Sequence, residues 1–154
     1  MELKQGNVDS PKIVQLLQEH LNDMYAASPP ESVHALNVSA LQAPSISFWS
    51  LWDGEHLAGC GALKELDNAS GEIKSMRTAH GFRRKGIASH MLQHIIESAQ
   101  KRGYRTLYLE TGTVDFFMPA IELYKTFGFE VCGPFADYSL DPYSLFMKKD
   151  LSLL

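Results

Sequence analysis

The sequence predicts an α/β fold: a mixed, mainly antiparallel sheet of about six or seven strands with helices on both faces. Three observations carry this. Apolar residues recur at helical spacing in three separate segments. A three-strand meander separates the first two of them, its first turn marked by Asp53-Gly54. Beyond the second helix the pattern runs strand, helix, strand, strand, which needs helices packed against a sheet.

The elements follow in order. "ELKQG" has the length of a short first strand. Ser10-Pro11 reads as an N-cap followed by proline at the first helical position. Ile13, Leu16, Leu17, Leu21 and Met24 then mark an amphipathic helix over 11–26, stopped by "SPPE". Residues 32–44 fit a short helix or a loop. "ISFWSLW" (46–52) and "HLAGCGALKEL" (56–66) are the hairpin, and "EIKSMRT" (72–78) is the third strand of the meander. A helix follows with Ile87, Met91, Leu92, Ile95, Ile96 and Ala99 on one face, ending at Gly103. "RTLYLET" (105–111) is a strand, "FFMPAIELYKTFG" (116–128) a helix, and "FEVCG" and "YSLFMKKDL" the last two strands.

The chain has 154 residues, 45% of them hydrophobic, which suits one domain over 1–154. Its net charge of −4 argues against a nucleic-acid binder, which is usually basic overall. No apolar run nears the roughly 18 residues that span a bilayer. "MELKQGN" lacks a signal-peptide pattern, so the expected compartment is the cytoplasm. Cys60 and Cys132 lack the spacing of a redox or metal site, and read as small buried hydrophobes. His90 and His94 have the i, i+4 spacing of a metal pair but no companion ligands, so no metal is expected.

One stretch does not fit a purely structural role. "GFRRKGIASHML" (81–92) places Arg83, Arg84 and Lys85 at the start of a helix. Cations there oppose the helix dipole by about half a kcal/mol each. Four unpaired N–H groups at a helix start, a glycine allowing close approach and a cluster of cations suit a small, highly charged anion. The residues alone leave two readings open, an anion site and a solvated basic turn. The spacing fits neither a Walker loop nor a dinucleotide fingerprint.

Arg83-x-x-Gly86-x-Ala88, after a strand and opening a helix, resembles the signature of the GNAT superfamily of N-acetyltransferases. "ELYKTFGFEVCG" is similar to that family's second landmark, a tyrosine on the next helix before a Gly-Phe that enters a strand. "SPPESVHALN", "GEIKSMRTA", "LETG" and "FADYSLDPYSLFM" further resemble its small bacterial YsnE-like branch. The resemblance implies a GNAT-like fold and an acyltransferase moving acetyl from acetyl-CoA to a primary amine, by direct attack in a ternary complex. It implies a pyrophosphate cradle at Arg83, Arg84, Lys85, Gly86, Ile87, Ala88 and Ser89, and pantetheine contacts at Met76, Arg77 and Thr78. Tyr124 takes the place of the acid that protonates the leaving thiolate. Many members carry an asparagine where this chain has Phe117, so Thr111 or Thr113 is expected to replace that contact. The base that deprotonates the amine falls to Glu72 or Glu110, and His34 lies where the acceptor pocket forms. Each of these also has a plain structural reading, as a core tyrosine, a strand-end charge or a packed histidine. A non-catalytic acyl-CoA-binding or sensor domain on the same fold is the alternative. Small amines, amino acids and protein amines all remain as acceptors, and the family's habit of dimerising allows a homodimer.

Overall fold

The computed structural model describes residues 1–152. In chain order the elements are β1 (Glu2–Gln5), α1 (Pro11–Ala27), α2 (Val38–Leu41), β2 (Ile46–Asp53), β3 (His56–Asp67), β4 (Ser70–Thr78), α3 (Ile87–Lys101), β5 (Thr106–Gly112), α4 (Met118–Thr126), β6 (Glu130–Cys132) and β7 (Ser144–Asp150). The strands form one sheet in the order β1-β2-β3-β4-β5-β7-β6. β4 and β5 pair in parallel and the other neighbours antiparallel. This is the α/β class with the mixed, mainly antiparallel sheet that the sequence predicts.

Local differences have local causes. Ser10 precedes α1, but its side chain makes no capping bond there, and Pro11 begins the helix without an N–H to satisfy. Residues 32–44 do form a short helix, α2, where Asn37 Oδ1 accepts from the Ala40 N–H at 2.8 Å. The expected helix over 116–128 divides into a 3-10 turn, Asp115–Phe117, and α4. Pro119 lies in the first turn of α4, where a missing N–H costs nothing.

The two faces of the sheet carry two cores. On one, α3 sets Met91, Leu92, Ile95, Ile96 and Ala99 against Leu51, Leu63, Leu107, Leu109 and Met147. On the other, α1 and α2 set Ile13, Leu16, Leu17 and Leu41 against Phe48, Cys60 and Ala62. Fully burying one such aliphatic side chain contributes about 1.5–3 kcal/mol, so these faces fix which way each strand turns.

β4 has one irregularity that shapes the molecule. Cys60 pairs with Arg77 and Ala62 with Lys74, so Gly61 alone faces both Ser75 and Met76. Ser75 is the extra residue of a β-bulge, with φ of 56°. β4 pairs with β5 at three positions, Ser70–Thr106, Gly71–Leu107 and Glu72–Tyr108, and the recorded pairing stops there. β5 remains paired with β7 as far as Gly112. The sheet therefore parts between β4 and β5, just before the bulge.

Beside this parting the backbone is tightly packed. A Cβ on Gly59 would lie 2.7 Å from Ile87 Cγ2 and 2.8 Å from the Arg77 carbonyl oxygen. The second of these is backbone held in the sheet and cannot yield cheaply. Gly59→Ala is expected to cost about 1–3 kcal/mol. A thermal melt should show this as a fall of about 3–10 °C in Tm.

Candidate active site

The parting of β4 and β5 opens into a cavity of about 670 Å3. Its walls come from Ile73–Thr78, from Leu109–Gly112, from the loop before α3 and the start of that helix, and from α4 and α1.

At one end lies the loop before α3. Arg84 and Gly86 both have positive φ, 63° and 76°. Gly86 is the N-cap of α3 and supplies no side-chain cap. The first helical bond runs from the His90 N–H to the Gly86 carbonyl, at 3.0 Å. The amides of Ile87, Ala88 and Ser89 therefore have no partner within the helix. A Cβ on Gly86 would meet nothing within 4 Å, so the approach to these amides is open. Arg83, Arg84 and Lys85 are exposed around it, with Lys85 Nζ 5.5 Å from the Phe82 ring centre. Open amides, the positive end of a helix and flanking cations make a site that fits a phosphate group.

Tyr124 and Glu110 also line the cavity. Tyr124 lies on α4 against Phe129, 7% exposed, and burial pushes its phenol up to about 12. It holds its proton throughout the neutral range and can give it only to a strong base formed beside it. Glu110 is half-buried on β5, and burial raises its pKa above the usual carboxylate value. Glu72 pushes the same way, while Ser144, His34 and Lys74 pull it back. A carboxyl poised upward in this manner can accept a proton from an amine.

On the α1 side of the sheet lies a polar cluster, of which His20, Ser32, His34, Lys74 and Arg77 line the cavity. Lys74 Nζ donates to the His34 carbonyl at 3.3 Å, to Glu72 Oε2 at 3.2 Å and to Tyr138 Oη at 2.9 Å. The Tyr138 hydroxyl donates to Glu72 Oε2 at 2.6 Å, and its ring meets His34 edge-on at 4.9 Å. Burial, then Glu72, raises the pKa of that phenol. The Ser32 hydroxyl donates to Asp141 Oδ2 at 2.6 Å, which ties the segment after α1 to the segment before β7. Arg77 Nη1 donates to Asp23 Oδ2 at 2.5 Å. His20 lies close by, and burial, then Arg77, lowers its pKa to about 4, so it is neutral.

The structure thus gathers most of the residues expected from sequence around one cavity. Met76, Arg77, Thr78, Arg83, Arg84, Gly86, Ile87, Ala88, Ser89, Glu110, Thr111, Tyr124 and His34 all line it. Lys85 and Glu72 stand outside that lining. Glu72 is 2% exposed and held by Lys74 and Tyr138. Phe117 also lines the cavity, packed so close to Gly112 that a Cβ there would meet its ring at 2.0 Å. Sequence reasoning missed His20, Asp23, Lys74, Ser75 and Tyr138. No local sequence signal marks them, because the partners that can be paired meet across 40 to 66 residues of chain.

Comparison with known proteins places the chain in a family. The model of the acetyltransferase (GNAT) family matches residues 13–129. The chain is 56% identical to the uncharacterized N-acetyltransferase YsnE of Bacillus subtilis, over 98% of this chain and 100% of that protein. It is 48% identical to the uncharacterized N-acetyltransferase YedL of Escherichia coli, over 97% and 94%. Among solved structures, an aminoglycoside 6'-N-acetyltransferase complexed with coenzyme A shares the fold, with a TM-score of 0.70 over 98% of this chain and 97% of that one, at 15% identity. The chain belongs to the GNAT acetyltransferase family and is an N-acetyltransferase that uses acetyl-CoA as co-substrate.

Proposed function

We propose that residues 1–154 act as one cytoplasmic N-acetyltransferase unit with the following division of labour. The observation that carries it is the shared cavity: open α3 amides, a buried tyrosine and a raised carboxyl meet where the sheet parts. Bound acetyl-CoA supplies the acetyl thioester. Gly86 and the amides of Ile87, Ala88 and Ser89 hold its pyrophosphate, and Arg83, Arg84 and Lys85 reinforce them. The edge of β4 at Met76, Arg77 and Thr78 no longer pairs with β5, and is free to pair with the amide-bearing pantetheine arm. Thr111, on the opposite wall, replaces the contact that Phe117 cannot make.

A main-chain N–H at Met76 or Arg77 polarises the thioester carbonyl. Glu110 takes the proton of the incoming amine, directly or through water, and the amine nitrogen then bonds to the acetyl carbon. As the carbon–sulfur bond breaks, the Tyr124 phenol gives its proton to the thiolate, and the second proton shed by the acylated nitrogen restores the phenol. Glu72 sits behind this site. Its charge is bound to Lys74 and Tyr138 and acts on Glu110 through the field. His34 shapes the acceptor side beside Tyr138. Cys60 takes no part, since burial pushes its thiol up to about 12 and it donates to the Ser75 carbonyl at 3.3 Å. Amine attack is therefore direct.

Three outcomes test this reading by thiol release from acetyl-CoA across an amine panel. Tyr124→Phe should lower kcat by about 10²–10⁴-fold while acetyl-CoA binding, followed by calorimetry, is retained. Gly86→Glu places a strained backbone and a negative charge at the cradle, and should weaken acetyl-CoA binding at least about tenfold. The acid limb of the kcat/KM profile should lie above the usual carboxylate range, since Glu110 must be ionised to act and its pKa is raised. Glu110→Gln should abolish that limb together with most of the rate. Coenzyme binding without turnover of any amine would instead mark a sensor.

A further inference from the structure

Among the described residues, five buried side-chain polar atoms have no hydrogen-bond partner: His20 Nδ1, Ser75 Oγ, Arg77 Nε, Arg77 Nη2 and Ser144 Oγ. Four of the five belong to His20, Ser75 and Arg77, which line a single wall of the cavity. Buried orphan donors are costly and rare, and a cluster of them in a cavity wall calls for a ligand that satisfies them.

The chemistry of the wall selects that ligand. Arg77 is 8% exposed, and its Nη1 is already bound to Asp23. What remains is the Nε/Nη2 edge of the guanidinium, two parallel N–H groups spaced to match the two oxygens of a carboxylate. Lys74 cannot serve instead, because its three donors are taken by His34, Glu72 and Tyr138. His20 is neutral, and with Ser75 Oγ it adds hydrogen bonds without adding charge. One arm of the guanidinium is already neutralised by Asp23, so the free edge suits one planar monoanion better than a dianionic phosphate. Glu110 lines the same cavity, ready for an amine. The same cavity, of about 670 Å3, must also admit the thioester end of acetyl-CoA.

We propose that the acceptor is a small amino acid-type molecule, its carboxylate seated on the Nε/Nη2 edge of Arg77 and its amine presented to Glu110. This rests on the transferase reading above and narrows its acceptor class. The orphan atoms are closed to water, so the wall must shift slightly as the acceptor enters, by rotamer changes of the kind usual at binding surfaces. Once seated, the carboxylate is desolvated against a charged fork, where such bonds are strongest. The bulge at Ser75 places Arg77 here. Arg77 pairs across the sheet with Cys60 and so faces α1, the helix that carries His20 and Asp23.

The experiment measures thiol release from acetyl-CoA with matched acceptors: the free amino acids, their carboxamides, their decarboxylated amines, and a peptide with a free N-terminus. The wild-type protein should favour at least one amino acid over its carboxamide and decarboxylated amine by about 10–100-fold in kcat/KM. Arg77→Lys keeps a cation and most of the packing but loses the fork, and Arg77→Gln loses both charge and fork. In each the acid-over-amide ratio should fall toward one. The ratio does not depend on how much protein folds, so a partly unstable variant still reports. Equal turnover of acids, amides, simple amines and the peptide, or a ratio that survives both substitutions, overturns this inference and leaves the transferase reading standing. No acetyl-CoA binding, or no thiol release with any amine, overturns that reading and this inference with it.

Discussion

The single residue inserted into β4 at Ser75 is the constraint on which the rest of the molecule depends. A regular β4 could continue its parallel ladder with β5 beyond Glu72, and the cavity would be closed by backbone hydrogen bonds. The bulge bends the strand away, and a stretch of main chain is left without a neighbouring strand. A left-handed backbone at a non-glycine residue costs on the order of 1–2 kcal/mol. It persists because β4 is paired with β3 on both sides of it and packed on both faces. Gly61 opposite is part of the same device. A Cβ there would lie within 3.0 Å of Met91, Met76 and Ile95, so α3 could not sit so close over the bulge.

The distribution of charge follows the same division. The chain is acidic overall, yet three exposed cations, Arg83, Arg84 and Lys85, stand side by side at the mouth of α3, where the proposed pyrophosphate site lies. Inside, charges come in pairs, Arg77 with Asp23 and Lys74 with Glu72. Glu110 has no cation bonded to it, and burial holds its pKa up. Desolvation thus raises the pKa of the proposed base, while the paired groups hold one another and fix what surrounds it. A buried pair is poor evidence of stability in itself, and these two make more sense as fixed walls of a site.

The fold was legible in the sequence because it rests on local signals. Helical spacing, the Asp53-Gly54 turn and the glycines after α3 and α4 each act within a few residues. The proposed donor end could be named from sequence for the same reason, since one loop and the first turn after it supply both backbone and cations. The bulge left no such signal. Strict alternation along "EIKSMRT" puts Met76 and Thr78 on the face of Glu72 and Lys74, and Arg77 on the other. The extra residue reverses that, and brings the Arg77 side chain beside His20 and Asp23, more than fifty positions away in the chain. Arg77 could be named from sequence for its main chain, but not for its guanidinium. Glu72 illustrates the converse. Its place at the start of a strand suggested a base, but Lys74 and Tyr138 engage its carboxylate, and Tyr138 reaches it from a segment 66 residues away.

This contrast explains why resemblance to relatives identifies a donor more readily than an acceptor. A pyrophosphate is held by N–H groups that every residue possesses, so what the site demands of the sequence is a glycine, a small residue and a helix start in fixed order. The acceptor site proposed here draws on side chains of α1, β4, β5 and the segments around Ser32 and Tyr138, joined through space by bonds such as Ser32–Asp141 and Arg77–Asp23. Each of these elements can change its side chains without disturbing the sheet, because the cores that hold it lie elsewhere on the same elements. On this proposal the donor end is tied to the fold itself, while the acceptor end is set by a handful of polar contacts laid over it, and only the folded chain brings those contacts together.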